Sequence, residues 1–131
     1  MNFLGIDFGT KIIGIALGDT ETKVAVPLFC IENKNDEFVL EELRKICENE
    51  KVKKIVLGLP KYLSGEKHKL TQKIKEFGKK ISSGLDIYVD YEDERLTSKL
   101  AEGKFADQKI DKKEINTVAA AEILQTYLDK L

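Results

Sequence analysis

A single aspartate within a short apolar run near the amino terminus constrains this chain more than any other feature. Residues 3–8 read Phe-Leu-Gly-Ile-Asp-Phe, which predicts a buried strand whose only charge is Asp7. An ionised carboxylate in such a strand is costly unless hydrogen bonds or a metal ion compensate it. Because side chains alternate along a strand, Gly5 and Gly9 share the face of Asp7 and leave open space beside the carboxylate. The stretch predicts either a site for a cation and a phosphate or simply a hairpin turn that Asp7 caps.

The order of the apolar segments predicts an α/β fold with a mixed five-stranded sheet. Three strands follow one another through tight turns and should be antiparallel, whereas two later strands each follow a helix and should run parallel to the first. Pro27 lacks an amide donor and places the third strand at a sheet edge. The expected strands are 3–8, 11–19, 23–31, 54–59 and 85–91, and the expected helices are 38–50, a long one capped by Ser64 and ended by the Ser-Ser-Gly run at 82–84, 96–105 and 112–131.

Acidic residues lie where the parallel strands of this sheet should end. Asp7 closes the first strand, and Asp93-Glu94-Arg95 closes the last one. Open α/β sheets tend to place their sites at such carboxyl ends. Carboxylates there suit Mg²⁺ or Mn²⁺, and two such ions about 4 Å apart can activate a water and stabilise the leaving oxygen of a phosphodiester. The only histidine, His68, lies in a lysine-rich helix and is interpreted as an exposed residue or at most a phosphate contact.

The length and composition indicate one domain of ordinary globular character. At 131 residues the chain is long enough for a real core. It has no apolar run near the roughly 20 residues of a membrane span, and no basic region precedes its first apolar run, so neither a span nor a signal peptide is expected. Cys30 and Cys47 lack the CxxC spacing and are interpreted as reduced thiols of a cytoplasmic protein.

The net charge of −1 conceals a strong asymmetry along the chain. Residues 32–50 carry seven acids against three basic residues, whereas residues 51–80 carry ten lysines against two glutamates. Such a density of positive charge attracts a phosphate backbone. A solvated helix face with lysines that favour solubility is an equally good interpretation of the same residues.

Four stretches of the sequence together resemble the YqgF family, whose members are described as candidate Holliday-junction resolvases and as nucleases that mature the 5′ end of pre-16S rRNA. The resemblance covers nearly the whole chain in the right order. It implies a single ribonuclease-H-like domain over residues 1–131, with a mixed five-stranded sheet and helices on both faces. It also implies an Mg²⁺- or Mn²⁺-dependent hydrolase of structured nucleic acid, acting as a monomer or homodimer. The four stretches are 5–19, from Gly-Ile-Asp-Phe-Gly-Thr-Lys to Asp19; Gly58-Leu59-Pro60 with Gly65; 93–97, Asp-Glu-Arg-Leu-Thr; and 119–129, from Ala-Ala to Asp129.

The resemblance implies a site with one departure from the family pattern. Asp7 and Glu94 match two acidic positions of the family, but Asn116 stands where the family usually has an aspartate. At about 100° per residue, Asn116 shares a helix stripe with Ala120 and Ile123 and should face the sheet. Its amide oxygen can still approach a metal, with one fewer negative charge. The expected catalytic and metal-binding residues are Asp7, Glu94 and Asn116, and the expected substrate-binding residues are Thr10, Lys11, Lys61, Lys67, Lys69, Arg95 and Thr97.

Three functions fit these residues. The first is a metal-dependent nuclease acting on structured RNA, with branched DNA as the other candidate substrate. The second is a nucleic-acid-binding protein of the same fold that has weakened or lost cleavage through Asn116. The third follows from Asp7-Phe8-Gly9-Thr10, which also resembles the phosphate loop of sugar kinases and actin-like ATPases. Those proteins enclose ATP between two domains, whereas this chain is expected to have one.

Overall fold

The strand that carries Asp7 lies at the centre of the sheet. The protein is described by a computed structural model for residues 1–60, 66–93 and 112–131, with side chains for all of these except 66–68 and 112–114. Strand β1 (Asn2–Asp7) is buried on both faces, because Leu4 and Ile6 are buried on one face and Phe3 and Gly5 on the other. Its central position follows from this burial, because a strand covered on both faces needs partners on both edges.

The five strands form one mixed sheet in the order β3-β2-β1-β4-β5. β1 pairs antiparallel with β2 and β2 pairs antiparallel with β3, while β4 is parallel to both β1 and β5. The predicted topology is therefore confirmed, as is the edge position of the strand that contains Pro27. The remaining strands are β2 (Ile12–Asp19), β3 (Val24–Glu32), β4 (Val52–Leu59) and β5 (Tyr88–Asp93).

Helices cover both faces of this sheet. α1 (Asp36–Asn49) and α2 (Glu66–Leu85) pack on the face that presents Leu4 and Ile6, and α3 (Lys112–Asp129) packs on the opposite face. Asn35 caps the amino end of α1, because its Oδ1 accepts a hydrogen bond of 2.8 Å from the backbone N–H of Phe38. Such a cap satisfies one of the free amides at the start of a helix.

No helix in the described part of the chain combines the length and the apolar character needed to cross a membrane. The predicted short helix at 96–105 and the predicted cap at Ser64 lie outside the described residues.

The predicted boundary between α2 and β5 is wrong. The Ser-Ser-Gly sequence that should have ended α2 is helical, because the Oγ of Ser83 donates to the carbonyl of Lys79 at 2.9 Å and so bonds within the helix. The helix instead runs to Leu85, and Asp86 follows in the left-handed conformation with φ at 52°. Aspartate tolerates that conformation better than most residues. β5 consequently starts at Tyr88, later than expected.

Candidate active site

Asp7 lies at the carboxyl end of β1 on the face that α3 covers. A Cβ added to Gly5 would come within 2.7 Å of the Cβ of Leu124 and 2.8 Å of the carbonyl oxygen of Ala120, so Gly5 faces α3 directly. Asp7 is two residues further along the strand and shares that face. The Asp7 side chain is half-buried.

The first turns of α3 lie beside Asp7 because β2 has a glycine at the crossing point. Asp7 pairs with Gly14 across the β1–β2 ladder. A Cβ on Gly14 would be only 2.1 Å from the carbonyl oxygen of Asn116, so the helix backbone contacts the strand here with no room for a side chain. The structure thus brings Asn116 to the strand position that neighbours Asp7. Asn116 is half-buried, and Ala120 one turn later is fully buried, as the predicted stripe requires.

The ends of β4 and β5 lie at the same edge as Asp7. Ile6 pairs with Leu57, and Leu59 pairs with Asp93, so the carboxyl ends of the three parallel strands stand side by side. The chain passes from Asp93 into the predicted acidic motif. Of the predicted site residues, Glu94, Lys61, Arg95 and Thr97 lie outside the described residues, as does the side chain of Lys67.

A buried carboxylate near the end of β5 has no counterpart in the sequence analysis. Glu92 is 6% exposed, and its Oε2 accepts hydrogen bonds from the Nζ of Lys130 at 2.7 Å and from the N–H of Asp93 at 3.0 Å. The sequence contains one signal for this contact. Side chains alternate along β5, so Asp90 and Glu92 lie on the sheet face that α3 covers. The ion pair between Glu92 and Lys130 connects the chain just after α3 to the end of β5.

A set of hydrogen bonds also links α3 to the middle of β5. The hydroxyl of Tyr127 donates to Oδ2 of Asp90 at 2.6 Å, and the Nζ of Lys54 donates to the Tyr127 oxygen at 2.9 Å. The hydrogen bond from Tyr127 lowers the pKa of Asp90 below its usual range. Burial raises the pKa of Tyr127, and its bond to Asp90 raises it further, so the phenol keeps its proton at neutral pH. These contacts anchor the helix that carries Asn116.

The described substrate-binding candidates lie near the carboxyl ends of two parallel strands. Thr10 and Lys11 are exposed in the turn between β1 and β2. Lys69 is exposed on α2, whose beginning is held near the end of β4 because Thr71 Oγ1 donates to the carbonyl of Pro60 at 3.4 Å. The structure therefore places exposed basic residues near the edge of the sheet where Asp7 lies.

The described residues fit part of a divalent-metal site. Asp7 supplies a carboxylate and Asn116 an amide, and oxygen donors of this kind suit Mg²⁺ or Mn²⁺. Within the described ranges, no group of three or more His, Cys, Asp or Glu side chains is arranged to hold a metal ion. The third predicted ligand, Glu94, lies beyond the last described residue of β5.

A mixed five-stranded sheet of this order, with β1 antiparallel to β2 and parallel to β4, is the ribonuclease-H-like fold. The fold is similar to that of a solved structure titled as Thermus thermophilus RuvC in complex with a Holliday junction substrate, with a TM-score of 0.63 at 12% sequence identity, covering 99% of this chain and 95% of the other. At that identity the likeness shows the fold alone.

The chain belongs to the RuvX family of Holliday junction resolvases, whose sequence profile matches residues 1–130. A protein of Clostridium botulinum (strain Alaska E43 / Type E3) named "Putative pre-16S rRNA nuclease" is 38% identical over 135 residues, which cover 100% of this chain and 98% of the relative. A protein of the same name from Maridesulfovibrio salexigens is 36% identical over 132 residues, with 98% of each chain covered. The resemblance drawn from the sequence is confirmed, and the chain is a hydrolase of phosphodiester bonds in nucleic acid.

Proposed function

We propose that this chain is a divalent-metal-dependent nuclease of the cytoplasm that processes the 5′ end of pre-16S rRNA, with a four-way DNA junction as the second candidate substrate. One domain over residues 1–131 carries the activity. The observation that carries the proposal is the convergence of Asp7 and Asn116 at the carboxyl end of the central strand. The names of the curated relatives support the RNA substrate, and the resolvase family supports the junction.

The chain's own residues would divide the work at this site. Asp7, Asn116 and Glu94 would hold the ion, and a divalent ion bound there supplies activation of a water and charge stabilisation of the leaving oxygen. Asp7 brings the negative charge at the centre of the sheet. Asn116 contributes a neutral oxygen, so the site binds its ion more weakly than a three-carboxylate site would. Lys11 and Lys69 would hold flanking phosphates as point charges.

The test is incubation of the purified protein with a pre-16S rRNA fragment and, separately, with a four-way junction, each with Mg²⁺, with Mn²⁺ and with chelator. Metal-dependent cuts near the mature 5′ end of the RNA are the expected result. Faster cutting of the junction than of the RNA would make DNA the substrate. No cutting of either substrate with either ion would overturn the nuclease assignment.

A second candidate function is a nucleic-acid-binding protein without cleavage, and Asn116 is the observation that favours it. A neutral ligand in place of an aspartate lowers the negative charge that attracts the ion. This candidate predicts undiminished binding of RNA in chelator and no metal-dependent product, whereas the nuclease produces fragments. The two functions are separated by product formation at saturating Mn²⁺.

The Asn116→Asp variant tests whether this position faces the ion. A third carboxylate near Asp7 should repel it in the absence of metal, so the variant should be less stable than the wild-type protein, by about 1 kcal/mol. A ligand that binds only the folded state stabilises it by mass action, so Mn²⁺ should restore the loss. Paired thermal melts of both proteins, in chelator and in Mn²⁺, measure this difference.

Cleavage by the same variant should rise most at limiting metal and change least at saturation, because the added charge acts on ion affinity. Asn116→Ala is the matched control, since it removes the amide oxygen without adding charge and should enlarge neither the metal-induced shift nor the activity. A metal-induced shift in Asn116→Asp no larger than that of the wild-type protein would place position 116 outside the ion site.

The basic flank of α2 is expected to contact the substrate backbone. Lys69 and Lys73 are exposed one turn apart, on the half of α2 that begins near Pro60. Each phosphate neutralised by a lysine contributes about 0.9 to the log–log slope of affinity against salt on duplex and about 0.7 on single strands. Replacing Lys69 and Lys73 together by Gln should therefore lower the slope by about 1.5, measured by titration of labelled RNA at several salt concentrations.

Lys75 and Lys79 provide the control for that experiment. Both are exposed, they have the same one-turn spacing, and they lie on the opposite flank of α2, further from the end of β4. Their replacement by Gln changes the net charge equally and should leave the slope nearly as it is. Equal effects of the two double variants would mean that the lysines attract nucleic acid only through net charge or serve solubility.

A further inference from the structure

A small open cleft lies at the same edge of the sheet as Asp7, on the side away from α2. It occupies about 360 Å³ between the turn that follows β1 and the loop that follows β3. The loop residues that form its outer wall were not predicted from the sequence to have a role. The cleft is lined by Thr10, Lys11, Ile12, Glu32, Asn33 and Lys34.

Asn33 holds the two walls of this cleft together. Its Nδ2 donates to the carbonyl of Gly9 at 2.9 Å, and its backbone N–H donates to the carbonyl of Lys11 at 2.9 Å. These two bonds fix the loop after β3 against the turn after β1. The cleft therefore keeps its shape before any ligand arrives, and preorganisation of this kind lowers the cost of binding.

The cleft presents two ammonium groups and one carboxylate. Lys11 is exposed, and the Lys34 side chain is 58% exposed with its Nζ 4.0 Å from Oε2 of Glu32. The Nζ of Lys34 also lies 4.8 Å from the centre of the Phe38 ring, which limits where the ammonium group can move. An exposed ion pair at this distance is worth little, so a phosphate can compete for Lys34.

Asp36, the first residue of α1, does not offset the positive charge of this cleft. Asp36 forms an ion pair with Lys80 of α2 and is engaged away from the loop. The neighbouring Glu37 is exposed in the first turn of α1. Glu32 is therefore the acidic side chain that lines the cleft, and it provides a residue whose removal should strengthen anion binding.

The register of the sheet gives the distance from this cleft to Asp7. Asp7 pairs with Gly14, and Ile12, two residues before Gly14 on β2, pairs with Glu32 on β3. Adjacent strands are about 4.8 Å apart, so β3 lies about 10 Å from β1. That distance is short enough for one nucleic-acid strand to place one phosphate at Asp7 and a nearby phosphate of the same strand in the cleft.

We propose that this cleft is a phosphate subsite in which Lys11 and Lys34 hold the backbone of the nucleic acid close to the phosphate at Asp7. The inference rests on the proposed nuclease function and adds a path for the substrate. Lys11 and Lys34 act as charges, and the Thr10 hydroxyl can donate a hydrogen bond to a phosphate oxygen. With Lys69 and Lys73 on the other side of Asp7, the strand crosses the carboxyl edge of the sheet from β3 towards α2.

Binding of a labelled pre-rRNA fragment in chelator tests the subsite without cleavage. Lys34→Gln should weaken binding about three- to tenfold at low salt and lower the salt slope by about 0.7 to 0.9, the loss of one phosphate contact. Glu32→Gln should change affinity in the opposite direction, and Lys34→Arg should retain it. Lys53→Gln is the matched control, because Lys53 is also exposed and lies near the start of β4, at the amino ends of the parallel strands.

Neutral phosphate substitution then locates the contact. RNAs that carry one methylphosphonate at successive positions should lose affinity for the wild-type protein at one position within a few nucleotides of the cleavage site. The Lys34→Gln variant should bind the RNA substituted at that position as well as it binds the unsubstituted RNA. If the protein cleaves RNA but Lys34→Gln matches Lys53→Gln in affinity and slope, the subsite is overturned and the nuclease function stands. If the wild-type protein binds no nucleic acid, both are overturned.

Discussion

Replacing Asp7 by asparagine should lower cleavage about 10³-fold or more while leaving the fold intact. A metal ion at such a site contributes several kcal/mol of charge stabilisation in the transition state, and each 1.36 kcal/mol corresponds to a factor of ten in rate. Asparagine has the shape of aspartate but no negative charge. The substitution should therefore weaken metal binding and slow cleavage without disturbing the packing. Single-turnover cleavage at saturating Mg²⁺, together with a thermal melt, measures both quantities.

Asp86→Asn is the matched control for this variant. It makes the same chemical change at an exposed residue after α2, where the left-handed backbone suits asparagine as well as aspartate. Cleavage by the control should equal that of the wild-type protein. RNA affinity in chelator should be nearly unchanged in Asp7→Asn, because the variant keeps every basic residue. Wild-type cleavage by Asp7→Asn at saturating Mg²⁺ would remove Asp7 from the site.

The order and direction of the strands could be predicted because local signals there agree with the tertiary structure. Tight turns specify the antiparallel pairs, the helical spacing after residue 36 specifies a crossover, and Pro27 excludes its strand from the centre of the sheet. The position of Asp7 followed from the same reasoning. A charged residue between two glycines in a buried strand has few structural explanations, and the strand alternation already gives the face on which it lies.

Other parts of the fold depend on contacts between residues distant in sequence, which a single sequence does not encode locally. Glu92 is buried because Lys130 reaches it from beyond α3. Asparagine is common in loops, so the sequence does not single out Asn33. Only the structure shows that Asn33 donates a hydrogen bond to the turn after β1.

Ala119 and Ala120 are buried where α3 packs on the sheet, but the residue that permits the close approach at the site is Gly14. The sequence shows Gly14 only as one glycine within a strand, which often marks the close approach of another backbone. The structure identifies that backbone as the first turns of α3, at Asn116. The position of the site therefore depends on the absence of one side chain on β2.

Gly14→Ala should accordingly destabilise the protein strongly. The added methyl group would lie 2.1 Å from the carbonyl oxygen of Asn116 and 2.4 Å from its carbon, and these are backbone atoms that cannot rotate away. Overpacking of a tight contact costs about 1–3 kcal/mol and occasionally more. We expect about 3 kcal/mol, a fall in Tm on the order of 10 °C for a domain of this size. The φ of Gly14 lies outside the left-handed region, so the cost comes from this contact.

The same variant should lose cleavage at temperatures where it is still folded, because α3 must move outward and carry Asn116 away from Asp7. Gly84→Ala is the matched control: a Cβ there would meet only Leu40 Cδ1, at 3.7 Å, and alanine in an exposed helix position should raise stability by up to about 1 kcal/mol. Thermal melts and single-turnover cleavage at 20 °C on both variants measure the two effects. If Gly14→Ala melts within 2 °C of the wild-type protein, α3 does not lie on β2 as described, and the convergence of Asp7 and Asn116 would fail with it.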